Sequence, residues 1–302
     1  MMRLSATTLA RLPGHVARPA YELAAVDTGI VHIGPGVFHR SHLASYADAA
    51  LAHCRSLGMC AVSLRTDSAR RALEPQDFLY TLAVVEREPS YQVIGAVRDI
   101  LHCPDDPAAV IDRMADPGVH TVTLTITERG YHVDSAGALD LDHADIAADL
   151  CSPGRPRTAT GLLVAALARR RALGVDPFVV TSCDNLSNNG ALLGAGLVDY
   201  ARQLDADLSS WIAGEVSFPC TVVDSITPAT DDALRYSVSE ALQLVDAWPV
   251  RREPFRQWVV ESGLLPQQAA WEDAGVTFSN DVEAYALAKL RILNGQHSAL
   301  PR

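Results

Sequence analysis

The stretch "GIVHIGPGVFHRSH", residues 29–42, decides the fold. It opens on an apolar run that reads as a buried strand, breaks into a turn at Gly34 and Gly36, and passes into a helix. These are the first two glycines of a dinucleotide fingerprint. The first permits the tight turn, and the second lets the backbone approach a pyrophosphate seated on the helix N-terminus, here around Ser41. His39 occupies the third glycine position, so the standard pattern is incomplete, and G-x-G alone also marks a bare strand-to-helix turn. Arg40 in the first helical turn opposes the macrodipole, which makes more sense with a phosphate nearby. On this reading Gly34, Gly36, Val37, Phe38 and Arg40 hold a cofactor.

Outward from this turn, apolar runs alternate with helical segments. "HLASYADAALAHCRSLG" has helical spacing and ends at Gly58, a suitable C-cap position. "MCAVSL", "LYTLAVVE" and "YQVIGAV" read as strands, and "DPAAVIDRMADPG" as a helix with Pro107 in its first turn. The β-branched "TVTLTITE" suits a central strand. A helix through "TGLLVAALARRRALG" then feeds the strand "FVVTSCDN". Strand, helix, strand in succession predicts a doubly wound α/β sheet, an extended Rossmann-like domain. Its core spans about residues 28–185. A mostly helical extension follows over 186–280, broken by "SFPCTVVDSITPAT" and "WPVRREPFRQWVVES".

If the cofactor is NAD, the second strand should present an acid to the adenosine ribose. That strand ends "SLRTD", where Arg65 suits a 2′-phosphate and Asp67 a 2′-hydroxyl. NAD is the expected cofactor, with NADP left open.

Composition narrows the function. The chain has 302 residues, 48% hydrophobic and 20% charged, enough for one large domain or two ordinary ones. Its net charge of −11 and the lack of a long basic run disfavour a nucleic-acid partner. Arg169–Arg171 reads as a helix C-terminus. No apolar run approaches the roughly 20 residues that span a bilayer. The six cysteines lie far apart with no C-x-x-C pair, which fits a reducing cytoplasm and speaks against a zinc site. The first 22 residues hold three arginines and no acid before Glu22, a weak imitation of a transit peptide. They read as a poorly ordered or surface-docked leader.

Near the end, "KLRILNGQHSALPR" carries Lys289, Asn294 and His297. On a helix Asn294 lies about 140° and His297 about 80° round from Lys289, so all three can face one cavity. A lysine in a poorly solvated site loses its proton more readily and can take one from a substrate hydroxyl. An asparagine amide can stabilise the resulting alkoxide. The same spacing also suits an ordinary helix surface with a solvated lysine.

With these motifs in hand, the chain resembles the polyol-specific long-chain dehydrogenases, the family of mannitol 2-dehydrogenase and fructuronate reductase. "GPGVFHRSH", "QDFLYTL", "TLTITERGY", "SCDNLSNNG", "FPCTVVDSITP", "EPFRQWVVE" and "KLRILNGQHSAL" occur in the family's order, over about residues 28 to 300. The resemblance implies a metal-independent, nicotinamide-dependent interconversion of a sugar alcohol and a ketose, mannitol and fructose before a hexuronate. It implies Lys289 as general base, Asn185 and Asn294 at the reacting oxygen, His297 on a substrate hydroxyl and Asp224 as a substrate contact. Glu128 would sit on a proton or water path to the lysine.

The chain also departs from the family's pattern. Ala286 stands where some members carry a glutamate one turn before the lysine, and Ser225 where members usually carry arginine. The family's second, mainly helical domain is expected to open with residues 281–302 and to be cut short there. Little turnover is therefore expected from these residues alone. Two rival readings remain: a catalytically inactive cofactor-binding remnant, and a short-chain dehydrogenase suggested by the Tyr-x-x-x-Lys spacing of Tyr285 and Lys289. The oligomeric state is not legible.

Overall fold

The computed structural model describes residues 2–134 and 137–299, apart from the side chains of 292–299. Its centre is a five-stranded sheet of parallel strands. Across the sheet the order is Val97–His102, Gly58–Ser63, Thr28–Ile33, Thr121–Leu124, Val179–Ser182. Numbered along the chain this is 3-2-1-4-5, the order of a dinucleotide-binding fold. The expected doubly wound α/β fold is present. Its topological switch point lies between Thr28–Ile33 and Thr121–Leu124, where the chain leaves the sheet in opposite directions.

The strands are almost wholly buried because helices cover both faces. Val31, Ile33, Val122 and Leu124 pack in one cluster with Leu162, Leu163 and Leu167 of the helix Ala159–Leu173. Ile30, Met59 and Ala61 join the other cluster with Leu43 and Ala47 of the helix Leu43–Ala50, and with Trp258 and Trp271. The helix Ala159–Leu173 is bounded as its sequence suggests: the Thr158 hydroxyl caps Gly161, and Gly174 closes it at φ 67°. Pro107 opens the helix Pro107–Ala115, whose Asp106 cap accepts from the Ala109 N–H.

Several expectations need correction. The helix after the glycine turn starts at Val37, not near Ser41. It breaks at His42 and ends at Ala50. Gly58 therefore does not cap that helix; it caps the short 3-10 helix Arg55–Leu57 and opens the next strand, and a side chain there would collide with Val26 and Asp27. The runs "LYTLAVVE" and "YQVIGAV" lie outside the main sheet, as the antiparallel pair Tyr80–Val84 and Ser90–Ile94. The strand that completes the main sheet, Val97–His102, has too mixed a sequence to stand out.

The extension over 186–280 is not only helical. Its two interruptions are strands: Thr221–Asp224 pairs antiparallel with Gln257–Glu261, and Val250–Arg252 joins Tyr80–Val84. Runs of three to five residues are too short to show a period of two, so they read as breaks. The leader is docked: Leu4, Leu12 and Val16 are buried against Leu79, Val93 and Val238. Among the described residues no helix is long and apolar enough to cross a membrane.

Candidate active site

Two adjoining cavities open where the parallel strands end, and they share Gly36, Val37, Thr125 and Thr127. The first, of about 610 Å³, is bordered by Gly34, Gly36, Arg65, Thr66, Arg157 and Trp248, among others. The second, of about 640 Å³, is bordered by Phe38, Glu128, Asn185, Asp224 and Lys289. Of the residues proposed for a cofactor, Gly34, Gly36, Val37, Arg40 and Arg65 border the first cavity and Phe38 the second, where Glu128, Asn185, Asp224 and Lys289, proposed for chemistry, also lie.

The glycine turn forms the seam. Gly34 has φ 97°, a backbone that L side chains rarely adopt, and a Cβ there would collide with the Thr125 carbonyl oxygen. Gly36 faces the opposite situation: a Cβ built on it meets nothing nearer than the Gly34 oxygen at 3.9 Å. The N–H groups of the first helical turn, from Val37 onward, have no acceptor inside the helix. A backbone cradle open at Gly36 and edged with free N–H donors fits a pyrophosphate.

Arg40 does not play the expected part. It borders the first cavity but is 1% exposed, and its guanidinium donates to the Trp248 carbonyl at 2.7 Å. It also lies 4.5 Å from the centre of the Trp248 ring. Its charge ties the glycine helix to the strand region that follows rather than facing a ligand. Asp67 is likewise engaged, in a 2.6 Å ion pair with Arg71, and does not border the cavity, whereas Arg65 does.

Three buried histidines surround this turn. Burial lowers the pKa of His32 and of His42 to about 3, and holds His39 well below the usual imidazole range. All three rings are neutral in the folded protein, but each takes up a proton near 6.5 when unfolded. Their contribution to stability is therefore complete above about pH 6.5 and is lost as pH falls towards about 3. Each ring accounts for up to about 1.4 kcal/mol per pH unit. Buried Asp48 and Asp246, whose pKa values are raised by burial, oppose part of that loss. The unfolding temperature is expected to fall between pH 7 and 4; a flat profile would contradict the burial of neutral imidazoles.

In the second cavity Lys289 projects from the helix Val282–Ala299. Its ammonium nitrogen donates to Asn185 Oδ1 at 2.9 Å and to the Val223 carbonyl at 2.7 Å, with Asp224 Oδ1 at 3.5 Å. A neutral amine keeps both hydrogen bonds with its two protons and presents its lone pair in the remaining direction. Because Asn185 accepts from Lys289 through oxygen, its NH2 is the group left to donate to a bound oxygen. Asn185 sits at the exit of the strand Val179–Ser182, and Asp224 closes the strand Thr221–Asp224. Glu128 opens the short 3-10 helix Glu128–Tyr131 on the cavity wall. Asn294 and His297 lie on the same helix as Lys289, but their side chains fall outside the described residues.

The groove wall is held by a residue that spacing alone did not single out. The Asp184 carboxylate accepts from the N–H groups of Ile126 and Thr127 at 3.0 and 2.9 Å and from the Tyr131 hydroxyl at 2.8 Å. Thr127 sits at φ 65°, which is costly for a β-branched residue. Asp184 pins that segment, which leads into Glu128 on the wall of the cavity that Asn185 also borders.

The sequence profile of the mannitol dehydrogenase Rossmann domain matches residues 28–273. The chain belongs to the mannitol dehydrogenase family. It is 42% identical to a mannitol 2-dehydrogenase of Pyrenophora tritici-repentis, over 99% of this chain and 54% of that one. It is 44% identical to a mannitol 2-dehydrogenase of Cereibacter sphaeroides, over 94% of this chain and 61% of the relative. Among solved structures, a Pseudomonas fluorescens mannitol 2-dehydrogenase in ternary complex with NAD and D-mannitol superposes with a TM-score of 0.90. Its identity is 42%, and the match covers 94% of this chain and 59% of that one. A substrate-free D-sorbitol dehydrogenase gives a TM-score of 0.93 at 36% identity, covering 98% of this chain and 62% of the other. The chain spans between half and two thirds of the length of these relatives.

Family membership displaces the short-chain dehydrogenase reading of Tyr285. That side chain packs against the apolar cluster of Val222, Val259 and Val282. Several residues of the groove carried no sequence signal, notably Arg157, Thr158 and Trp248, which reach the first cavity from distant segments. Among the described residues one group has donor atoms close enough to suggest a metal, His132, His143 and Asp145, within 4.8 Å. Within this group His143 Nδ1 accepts from the Asp145 N–H, and His132 Nδ1 has no hydrogen-bond partner.

Proposed function

We propose that this chain is the cofactor-binding part of an oxidoreductase that interconverts D-mannitol and D-fructose with NAD. The observation that carries the proposal is the meeting of Lys289, Asn185 and Asp224 in a cavity continuous with the glycine turn. Bound NAD supplies the hydride acceptor. Lys289 takes the proton of the reacting hydroxyl on its free lone pair, and the Asn185 NH2 steadies the oxygen as negative charge develops there. Asp224 accepts from a neighbouring substrate hydroxyl, and Glu128 passes the proton from Lys289 towards solvent. The proton acceptor is an amine, so the step as written calls on no metal.

A neutral polyol fits this cavity better than a hexuronate. Among the described residues three acids, Glu128, Asp184 and Asp224, border it beside one basic side chain, Lys289, so a substrate carboxylate would meet net repulsion. The likeness to a Pseudomonas enzyme solved with NAD and D-mannitol supports the same choice. We assign residues 1–280 to the cofactor domain and the helix from residue 281 to the opening of the substrate-binding part. Six unpaired cysteines suit a reducing compartment, and we place the protein in the cytoplasm.

Calorimetric titration tests the cofactor. NAD is expected to bind more tightly than NADP, and Arg65→Ala should leave NAD affinity within about threefold while weakening NADP about tenfold, roughly the 1.4 kcal/mol of one charge-assisted contact. Tighter binding of NADP by the unmodified chain would overturn the choice of NAD.

A further inference from the structure

The fingerprint's third glycine is absent, yet the turn is built. The glycine expected there normally lets the helix pack close to the strand. His39 stands in its place, fully buried, its ring stacked on that of His32 with centres 3.6 Å apart and planes 8° from parallel. Neither ring nitrogen of His39 has a hydrogen-bond partner. A buried imidazole with both nitrogens unsatisfied is costly, and an aliphatic side chain would fill the volume without that cost. Two thin flat rings face to face bring helix and strand together where a bulkier pair could not.

His32 carries the contact on to the turn. Its Nδ1 lies 2.8 Å from Thr123 Oγ, and its Nε2 lies 2.9 Å from Thr125 Oγ and 3.1 Å from the Gly34 carbonyl oxygen. Thr125 Oγ donates to that same carbonyl at 2.8 Å, so towards His32 it can only accept. A lone pair on Nε2 would repel the carbonyl, so Nε2 carries the hydrogen and Nδ1 accepts from Thr123. One tautomer satisfies every contact. The Gly34 carbonyl thus receives His32, Thr125 and the Gly36 N–H, the last at 2.7 Å. Three donors on one oxygen fix the plane of the Gly34–Pro35 peptide, and with it the direction in which the following N–H groups point.

We propose that His32, His39 and Thr125 are positioning residues that take over the role of the third glycine and hold the turn in the shape that receives a pyrophosphate. The inference rests on the cofactor reading above. It concerns which residues shape the turn, not which molecule reacts.

The test uses ADP-ribose, which carries the pyrophosphate but no nicotinamide, titrated into the chain and three variants. His39→Gly completes the standard glycine pattern, yet is expected to weaken ADP-ribose at least tenfold. Thr125→Val should weaken it similarly, whereas Thr125→Ser, which keeps the hydroxyl, should stay within about twofold. Nitrogen-15 NMR of the unmodified chain should show His32 protonated at Nε2. If His39→Gly binds as well as the unmodified chain, or if Thr125→Val matches Thr125→Ser, the positioning role is overturned while the cofactor reading stands. If the unmodified chain binds no ADP-ribose, the cofactor reading itself fails and takes this inference with it. Should His39→Gly not fold, the two Thr125 variants and the His32 tautomer decide the matter, and an Nδ1-protonated His32 overturns it.

Discussion

Lys289→Ala, in a polypeptide competent for turnover, is expected to lower kcat for D-mannitol oxidation by roughly 10²–10⁴-fold, the range lost with a positioned general base. NAD affinity should stay nearly unchanged, because Lys289 does not border the first cavity, where the pyrophosphate and adenosine would be held, and its nitrogen is already bonded to Asn185 and Val223. A small primary amine added to the medium should restore part of the rate by filling the vacated position. Asn185→Ala should lower turnover as well, by about 2.7–4 kcal/mol if the amide acts as an oxyanion donor. Steady-state kinetics beside a cofactor titration separate the two readouts. A Lys289→Ala variant that loses NAD binding and keeps kcat would mean that the amine serves the cofactor rather than the hydroxyl.

The two glycines should fail in different ways. Gly34→Ala places a side chain at φ 97° and drives its Cβ into the Thr125 carbonyl, a backbone atom that cannot turn aside. Backbone strain and collision together should cost about 3–5 kcal/mol of stability, seen as a fall in the denaturation midpoint. Gly36→Val meets open space in the folded chain, so its midpoint should move little. Its side chain instead occupies the room the pyrophosphate needs, and NAD affinity should drop at least tenfold. Equal stability losses in both variants would show that Gly36 is held by the fold and not by the ligand.

The fold was legible where elements are long or sharply punctuated. The helix Ala159–Leu173 has a threonine cap and a closing glycine, and the strand at Thr28–Ile33 runs straight into the glycine turn. It was illegible where pairing is decided by distant partners. Val97–His102 sets Arg98 and Asp99 side by side and Ile100 and Leu101 side by side, with no period of two, yet completes the main sheet beside Gly58–Ser63. The site was legible to the extent that chemistry sits in short motifs: Asn185, Asp224 and Lys289 come from three separate stretches and converge within hydrogen-bond or ion-pair reach. Arg40 misled because a charge beside a glycine turn looks like a phosphate ligand, and only the folded chain reveals Trp248 beneath it. The weight carried by Asp184 could not be read from spacing, since its partners are backbone N–H groups with no sequence identity.

A crystal structure of the chain with NAD tests the central claim most directly, that one groove runs from the glycine turn to Lys289. The pyrophosphate is predicted to lie over Gly36 within hydrogen-bond reach of the first-turn N–H groups, with the adenosine towards Arg65 and the nicotinamide in the cavity of Asn185 and Lys289. A cofactor bound in the reverse sense, or anywhere that leaves the nicotinamide out of contact with the Lys289 cavity, would contradict the account.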